Sequence, residues 1–308
     1  MLGPLRQAFS SPRTAVFKAN PWLEPYADEL AVVFALPGVE PRAEVAAARR
    51  AAGLTRLRAG ASAWNAWATR MHDLAAAAAT DAAALRLWSY TTTADFAGLT
   101  LKSMRDGFGG LLFPGMLDLT GATFPQAAWF SASIVAGDAR VEGAQFRQEA
   151  YFDRVAFGGT VNFDGTAFGG AAEFRQATFR EPASFHGARF EKDVWFRGAA
   201  FQAAFDISET TFGGEAGFGD VRYGGPVNFS RSVFSDNAGF EAAIFEDVAR
   251  FSDARFGRTA RFEDAIFRRE PSFDRARFLG KAIFDRITVP EGQSAVHRTI
   301  ADIARRLG

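Results

Sequence analysis

The chain has 308 residues, of which 48% are apolar, with 35 basic and 35 acidic side chains and no cysteine. The length leaves room for one large or two ordinary domains. The charge balance argues against a polybasic nucleic-acid binder, and the missing thiol excludes disulfides, thiolate metal sites and a cysteine nucleophile. No apolar run approaches the ~20 residues of a membrane helix, and MLGPLRQAFSSPR has no signal-peptide apolar region. A soluble, cytoplasmic protein without membrane association is expected.

Residues 1 to 95 form the first region. PRAEVAAARRAAGLTRLRA (41–59) and TRMHDLAAAAATDAAALRLWSY (69–90) are rich in Ala, Leu and Arg and read as helices. Pro37, Gly38 and Pro41 mark a break before them, and Thr80 and Asp81 offer a second helix start. AWNAW puts Trp64 and Trp67 at i and i+3, on one helix face. Two roles are open for this pair: packing within the helical region or onto an open solenoid end, and contact with a partner protein.

Residues 96 to 290 form the second region, and DFAGLTL (95–101) leads into it. Phenylalanine, 33 residues in all, falls here at alternating spacings of six and five, so the pattern repeats every 22 residues. Four columns result. The first is Phe124, Phe146, Phe168, Phe190, Phe212, Phe234, Phe256 and Phe278. The second is Phe108, Phe130, Phe152, Phe174, Phe196, Phe218, Phe240, Phe262 and Phe284. The third runs from Phe113 through Val135, Phe157, Phe179, Phe201, Tyr223, Phe245 and Phe267 to Val289. The fourth is Leu119, Val141, Phe163, Phe185, Ile207, Phe229, Phe251 and Phe273. A small or β-branched residue precedes most column residues by two, as Ala122, Ala144 and Val161 do.

An α-helix fails this pattern. A step of five advances ~140° and a step of six returns to ~20°, giving two stripes, and Gly and Pro interrupt throughout. A flat strand fails because a step of five reverses the face. A coil that turns a corner every few residues succeeds. Its sides send the column residue and the residue two before it inward, and stacked coils superpose like residues at ~4.8 Å. About eight coils make a rod roughly 38 Å long. The column phenylalanines are therefore expected to form its core.

Residues 291 to 308 close the chain. QSAVHRTIADIARRLG reads as a short amphipathic helix with Val296, Ile300, Ile303 and Leu307 on one face. It is expected either to cap the last coil or to form a homodimer contact.

Units such as ATF (122–124), AQF (144–146) and ARF (188–190, 254–256, 276–278) resemble the pentapeptide-repeat family. The resemblance covers roughly residues 108 to 289. It implies a right-handed, four-sided β-helix, here in a Phe-centred variant whose alternate units carry six residues. A wider corner is expected at each six-residue unit. Relatives often carry a Trp-Asn-x-Trp stretch ahead of their repeats, as at residues 64–67 here.

No chemistry stands out. His72, His186 and His297 lie in three separate segments and make neither a metal site nor a triad, and the Gly-Gly pairs at 158–159, 169–170, 213–214 and 224–225 lack the Gly-Lys-Ser/Thr of a phosphate loop. Asp153, Asp164, Asp206 and Asp274 belong to outward polar ladders. No catalytic residue, metal or cofactor is expected. The expectation is a non-enzymatic solenoid scaffold that binds an as yet unidentified protein partner, with nucleic acid disfavoured as a ligand.

The resemblance implies an alternative, a DNA mimic that inhibits or protects gyrase or another type II topoisomerase. Duplex DNA carries one charge per ~1.7 Å, so such a rod needs about 22 uncompensated charges. Residues 108–290 hold 24 acids and 20 bases. The acids are concentrated at 191–247, ten against four bases, and the bases at 250–286, ten against six acids, giving a possible binding polarity.

Overall fold

A computed structural model describes residues 20–26, 43–102 and 107–290. A 3-10 turn, Pro21–Tyr26, precedes three helices: α1 (Ala43–Arg58), α2 (Ala61–Ala78) and α3 (Ala82–Thr92). The stretch 69–90 is thus two helices. The second is started by Asp81, whose carboxylate accepts the N–H of Ala83 at 2.8 Å and satisfies a donor the helix cannot. The expected terminal helix and its four apolar residues, Val296, Ile300, Ile303 and Leu307, lie outside the described residues.

From Ala94 onward the chain is a parallel β-solenoid of about eight turns. Thirty-two strands of two residues each build four eight-stranded sheets, numbered here after the columns they carry. Within a sheet, partners are 22 residues apart, as in Phe124↔Phe146 and Ala128↔Ala150. The first turn differs. β1 (Ala94–Asp95) pairs with β3 (Leu117–Asp118) at an offset of 23, because one extra residue lies between Leu101 and Phe108. Phe96 and Leu101 therefore belong to the core, buried beside the fourth and first columns.

The columns stack ring on ring. First-column neighbours lie 4.5–5.4 Å apart and second-column neighbours 4.7–5.2 Å. Rings of adjacent columns meet edge to face, as Phe212 meets Phe218 at 88°, and so do rings of opposite columns, as Phe163 meets Phe174 at 90°, so the core combines both favoured aromatic geometries. All column phenylalanines from Phe108 to Phe278 are buried; Phe284, in the last described turn, is half-buried.

The two corner types bend differently. After the second and fourth columns the chain turns within five residues, and one residue takes positive φ every eleven residues from Gly110 to Arg286. Ala132 is typical: φ is 59°, and the Ser133 N–H closes the turn on the Phe130 carbonyl at 3.1 Å. The six-residue corners bend without positive φ, and the Gly-Gly pairs lie in these wider corners.

Helix α2 covers the first turn. Trp64 is 1% exposed, packs on Phe113 at 5.4 Å and donates its indole N–H to the Leu112 carbonyl at 2.7 Å. Asn65 accepts the Leu112 N–H and donates to the Gly110 carbonyl, both at 2.9 Å. A tryptophan and a side-chain amide thus satisfy the edge of β2 (Leu112–Phe113), which would otherwise offer unpaired backbone groups to another chain. Trp67 is half-buried, edge-on to Trp64 at 5.1 Å and beneath the Arg56 guanidinium at 4.6 Å. Of the two roles left open for this pair, Trp64 takes the packing one and presents no surface to a partner. Arg49 and Arg50 anchor α1 through the buried Asp95 carboxylate at 2.8 and 3.2 Å.

One coil trades its large and small side chains. Where its neighbours have Ala183 with Phe185 and Val227 with Phe229, this coil has Phe205 with Ile207. Phe205 is 1% exposed and its ring centroid lies 3.8 Å from that of Phe201. Phe205→Ala opens a cavity and is expected to cost about 3–5 kcal/mol, whereas Ile207→Phe overpacks the same layer at about 1–3 kcal/mol. The double variant restores the neighbours' pattern and should recover most of the loss, as measured by denaturant unfolding.

Tyr223 interrupts the third column. It is fully buried between Phe201 and Phe245, and its hydroxyl has no hydrogen-bond partner among the described residues. Burial raises its pKa well above the usual phenol value. Tyr223→Phe removes an unsatisfied donor without changing shape and is expected to stabilise the rod by about 1–3 kcal/mol in the same measurement.

Candidate protein-interaction face

In a two-residue strand one side chain points outward, so each sheet displays a single row. On the fourth sheet the row is short and polar, including Asn162, Ser184, Asp206 and Asn228. On the third it includes Leu112, Ile134, Ala156 and Ile266, and on the first Thr123, Arg189, Arg255 and Arg277. The second sheet is the aromatic one. Its row reads Trp129, Tyr151, Glu173, Trp195, Gly217, Gly239, Arg261 and Ile283.

Trp129 is 48% exposed, and its indole stacks on Tyr151 with centroids 4.0 Å apart. Glu173 pairs with Arg175, whose guanidinium lies over the Trp195 ring at 5.4 Å. Beyond Trp195 the two glycines make room for the Trp195 ring and the Glu241 carboxylate, beside an open groove of about 350 Å³ lined also by Arg197, Glu215 and Asp220. The glycines are required by what lies over them. A Cβ at Gly217 would come within 2.4 Å of the Trp195 ring, and one at Gly239 within 2.5 Å of the Glu241 carboxylate. A second hollow of about 510 Å³ adjoins it around Asp153, Arg154 and Arg175.

Charges along the corners are arranged in ladders. Six arginines pair with an acid one coil before them in sequence, 22 residues earlier: Arg231 with Glu209, Arg258 with Asp236, Arg268 with Glu246, Arg269 with Asp247, Arg275 with Asp253 and Arg286 with Asp264. Hydrogen bonds from Arg275 and Arg286 hold Asp253 and Asp264 below the usual carboxylate range. Three of these pairs, those of Arg258, Arg268 and Arg269, join the basic stretch 250–286 to the acidic stretch 191–247 where the two adjoin.

The second sheet departs from this compensation. Burial pushes the Glu241 carboxyl up; its nearest cation, Arg261, lies at 3.9 Å, and Glu263 and Glu215 raise it further. Burial likewise raises Glu173, against the opposing effect of Arg175, and burial with Glu149 raises the Tyr151 hydroxyl.

The remaining polar candidates do not converge into a reaction centre. His186 Nδ1 lies 3.0 Å from the Ser208 hydroxyl, but Asp164 accepts from the Ser184 hydroxyl and the His186 backbone N–H, not from the imidazole. No carboxylate among the described residues orients the ring as a triad would require. Among the described residues, no three His, Asp or Glu side chains cluster as metal ligands, and no helix is long and apolar enough to cross a membrane.

Sequence comparison agrees with the architecture. The family model for pentapeptide repeats matches residues 119–167, 163–211, 207–255 and 240–288, together more than half of the chain. The chain belongs to the pentapeptide-repeat family. Among solved structures, QnrB1, a plasmid-mediated fluoroquinolone resistance protein, matches at 16% identity in a trypsin-treated point variant. That match covers 67% of this chain and 98% of that one, with a TM-score of 0.27. No curated protein matches significantly in sequence.

The aromatic row was within reach of sequence reading. Trp129, Tyr151 and Trp195 follow one another at multiples of 22, each directly before a second-column phenylalanine. The abundance of phenylalanine drew attention inward and hid them.

The raised Glu241 carboxyl gives a signed pH dependence. A folded-state pKa above the unfolded value means that the folded protein is favoured at low pH and loses this contribution as pH rises through the folded value. Glu241→Gln is therefore expected to raise the melting temperature at pH 7. Below about pH 4, where the acid is protonated in both states, it should have no effect. A lower melting temperature at pH 7 would contradict the assignment.

Proposed function

We propose that this chain is a non-enzymatic scaffold, a right-handed solenoid whose second-sheet face binds another protein. The observation that carries the reading is the exposed Trp129–Tyr151 stack, aligned with Trp195 on a rigid backbone. Protein interfaces are enriched in Trp, Tyr and Arg, and their hot spots are buried aromatic and arginine anchors. A solenoid supplies these groups prearranged, so little conformational entropy is lost on association.

The topoisomerase-directed DNA mimic has less support. Such a mimic needs an uninterrupted acidic face, and no outward row of the described sheets is acidic along its length. Six of the corner acids are matched by arginines of the following coil.

The test is affinity capture with the intact chain, because removing residues 1–95 would strip Trp64 and Asn65 from the edge they cover. Wild type is compared with Trp129→Ala/Tyr151→Ala and with Ile134→Asp on the third sheet, each checked for an unchanged melting temperature. A partner retained by wild type and Ile134→Asp but lost by the aromatic double variant supports the reading. Capture insensitive to the aromatic variant overturns it. If the retained protein is then a type II topoisomerase, the mimic takes its place.

A further inference from the structure

We propose that residues 291–308 fold back as a helix over the open end of the last coil, so that one chain closes its own rod at both ends. This inference is independent of the second-sheet reading.

The two ends of the rod differ in cover. At the first turn, beneath α1 and α2, Phe96 and Phe113 are fully buried and Phe108 is 4% exposed. At the other end the core opens from one coil to the next. Phe251, Phe256 and Phe262 are at most 1% exposed, whereas the rings stacked on them, Phe273, Phe278 and Phe284, are 5% exposed, 9% exposed and half-buried. Ala254, Ala260 and Ala265 are fully buried, and the residues 22 positions on, Ala276, Ala282 and Ile287, are half-buried. All of these positions face inward by register, so what opens is the apolar cross-section of the coil.

The backbone is open there too. In the second sheet the N–H groups of Ala260 and Phe262 donate to the carbonyls of Lys281 and Ile283, both at 2.8 Å. Ala282–Ile283 is the last strand of that sheet. The N–H groups of Ala282 and Phe284 therefore point along the axis to where a further coil would lie, which is the situation Asn65 and Trp64 resolve at the first turn.

The sequence does not supply a further coil. Positions 22 residues beyond Phe273, Phe278 and Phe284 are Ala295, Ile300 and Arg306, and an arginine cannot continue the second column. The apolar spacing changes instead to four, three and four at Val296, Ile300, Ile303 and Leu307, one face of a helix.

Size selects the occupant. Facing sheets lie ~10 Å apart, so the coil ends in a face about as wide as one helix, ~10 Å. As a helix, 293–308 runs ~24 Å and crosses that face completely. Pro290, Glu291 and Gly292 bridge ~10 Å from Val289, the last third-column residue, to its start. A second copy of the chain is the other candidate. The end face offers it roughly 100 Å², far below the ~800 Å² per partner of a stable interface. It would also compete with a tethered segment present at an effective concentration in the millimolar range.

The absence of cysteine makes the test clean, because introduced thiols are the only ones. Ala282→Cys is combined in turn with Val296→Cys, Ile300→Cys and Ile303→Cys, and each intact chain is treated with a short thiol-bridging reagent. A link within one chain, at monomer mass, is expected for at least one of these pairs and not for Ala282→Cys with Arg298→Cys, which lies on the opposite helix face. In a second measurement, Ile300→Asp/Ile303→Asp should lower the melting temperature by about 2 °C or more while the protein still sediments as a monomer. Links that join two chains, equal linking from Arg298→Cys, no link from any pair, or an unchanged melting temperature overturns the inference. A wild-type dimer that the double variant dissociates overturns it as well and gives the end to a second copy.

Discussion

Everything in this molecule depends on the stacking of like on like at one coil spacing. A phenylalanine ring lies on the ring of the residue 22 positions away, at 4.5–5.5 Å, in all four columns wherever two aromatic residues follow one another, and aliphatic residues interrupt only the third and fourth. The backbone hydrogen bonds between coils set nearly the same spacing, so aromatic packing and strand pairing reinforce each other. A side chain in a given layer is consequently judged by the layers above and below. Tyr223 is tolerated because its ring fits the column, although its hydroxyl does not. Phe205 and Ile207 exchange size because the layer fixes total volume more strictly than it fixes which position supplies it.

The same rule governs the outside. Superposing every 22nd residue would pile like charges into repulsive columns, and one corner avoids this by alternation in Glu209, Arg231, Asp253 and Arg275, whereas Asp193 is followed one coil later by Glu215. These exposed pairs contribute little stability individually. They tie neighbouring coils together along the corners. The second sheet stands apart in its exposed aromatics.

A stack of coils must also end. At the first turn the chain uses Trp64 and Asn65 to imitate the missing strand, and the Asp95 pairing with Arg49 and Arg50 holds α1 in place. This cap explains why the Trp-Asn-x-Trp stretch precedes the repeats: its first tryptophan closes a column and its asparagine closes a strand edge. An interaction surface for this protein is therefore better sought along the rod than at the helical end.

The sequence by itself determined the solenoid, its period, its four columns and nearly all of its core, because a 22-residue stack writes its contacts as a repeat that can be counted. It also carried the Asp81 helix start and the aromatic row, although the phenylalanines masked the row. Other features were decided only in three dimensions. The extra residue before Phe108 shifted the first turn out of phase, so Phe96 and Leu101 escaped the count. Trp64 could be assigned as a cap only once Leu112 lay beside it. The acidic and basic stretches adjoin along the rod, and only folding brought arginines of the second within reach of acids of the first. Period is a one-dimensional property that hydrophobic burial imposes directly on composition, whereas pairing across coils and edge closure depend on which distant residues become neighbours.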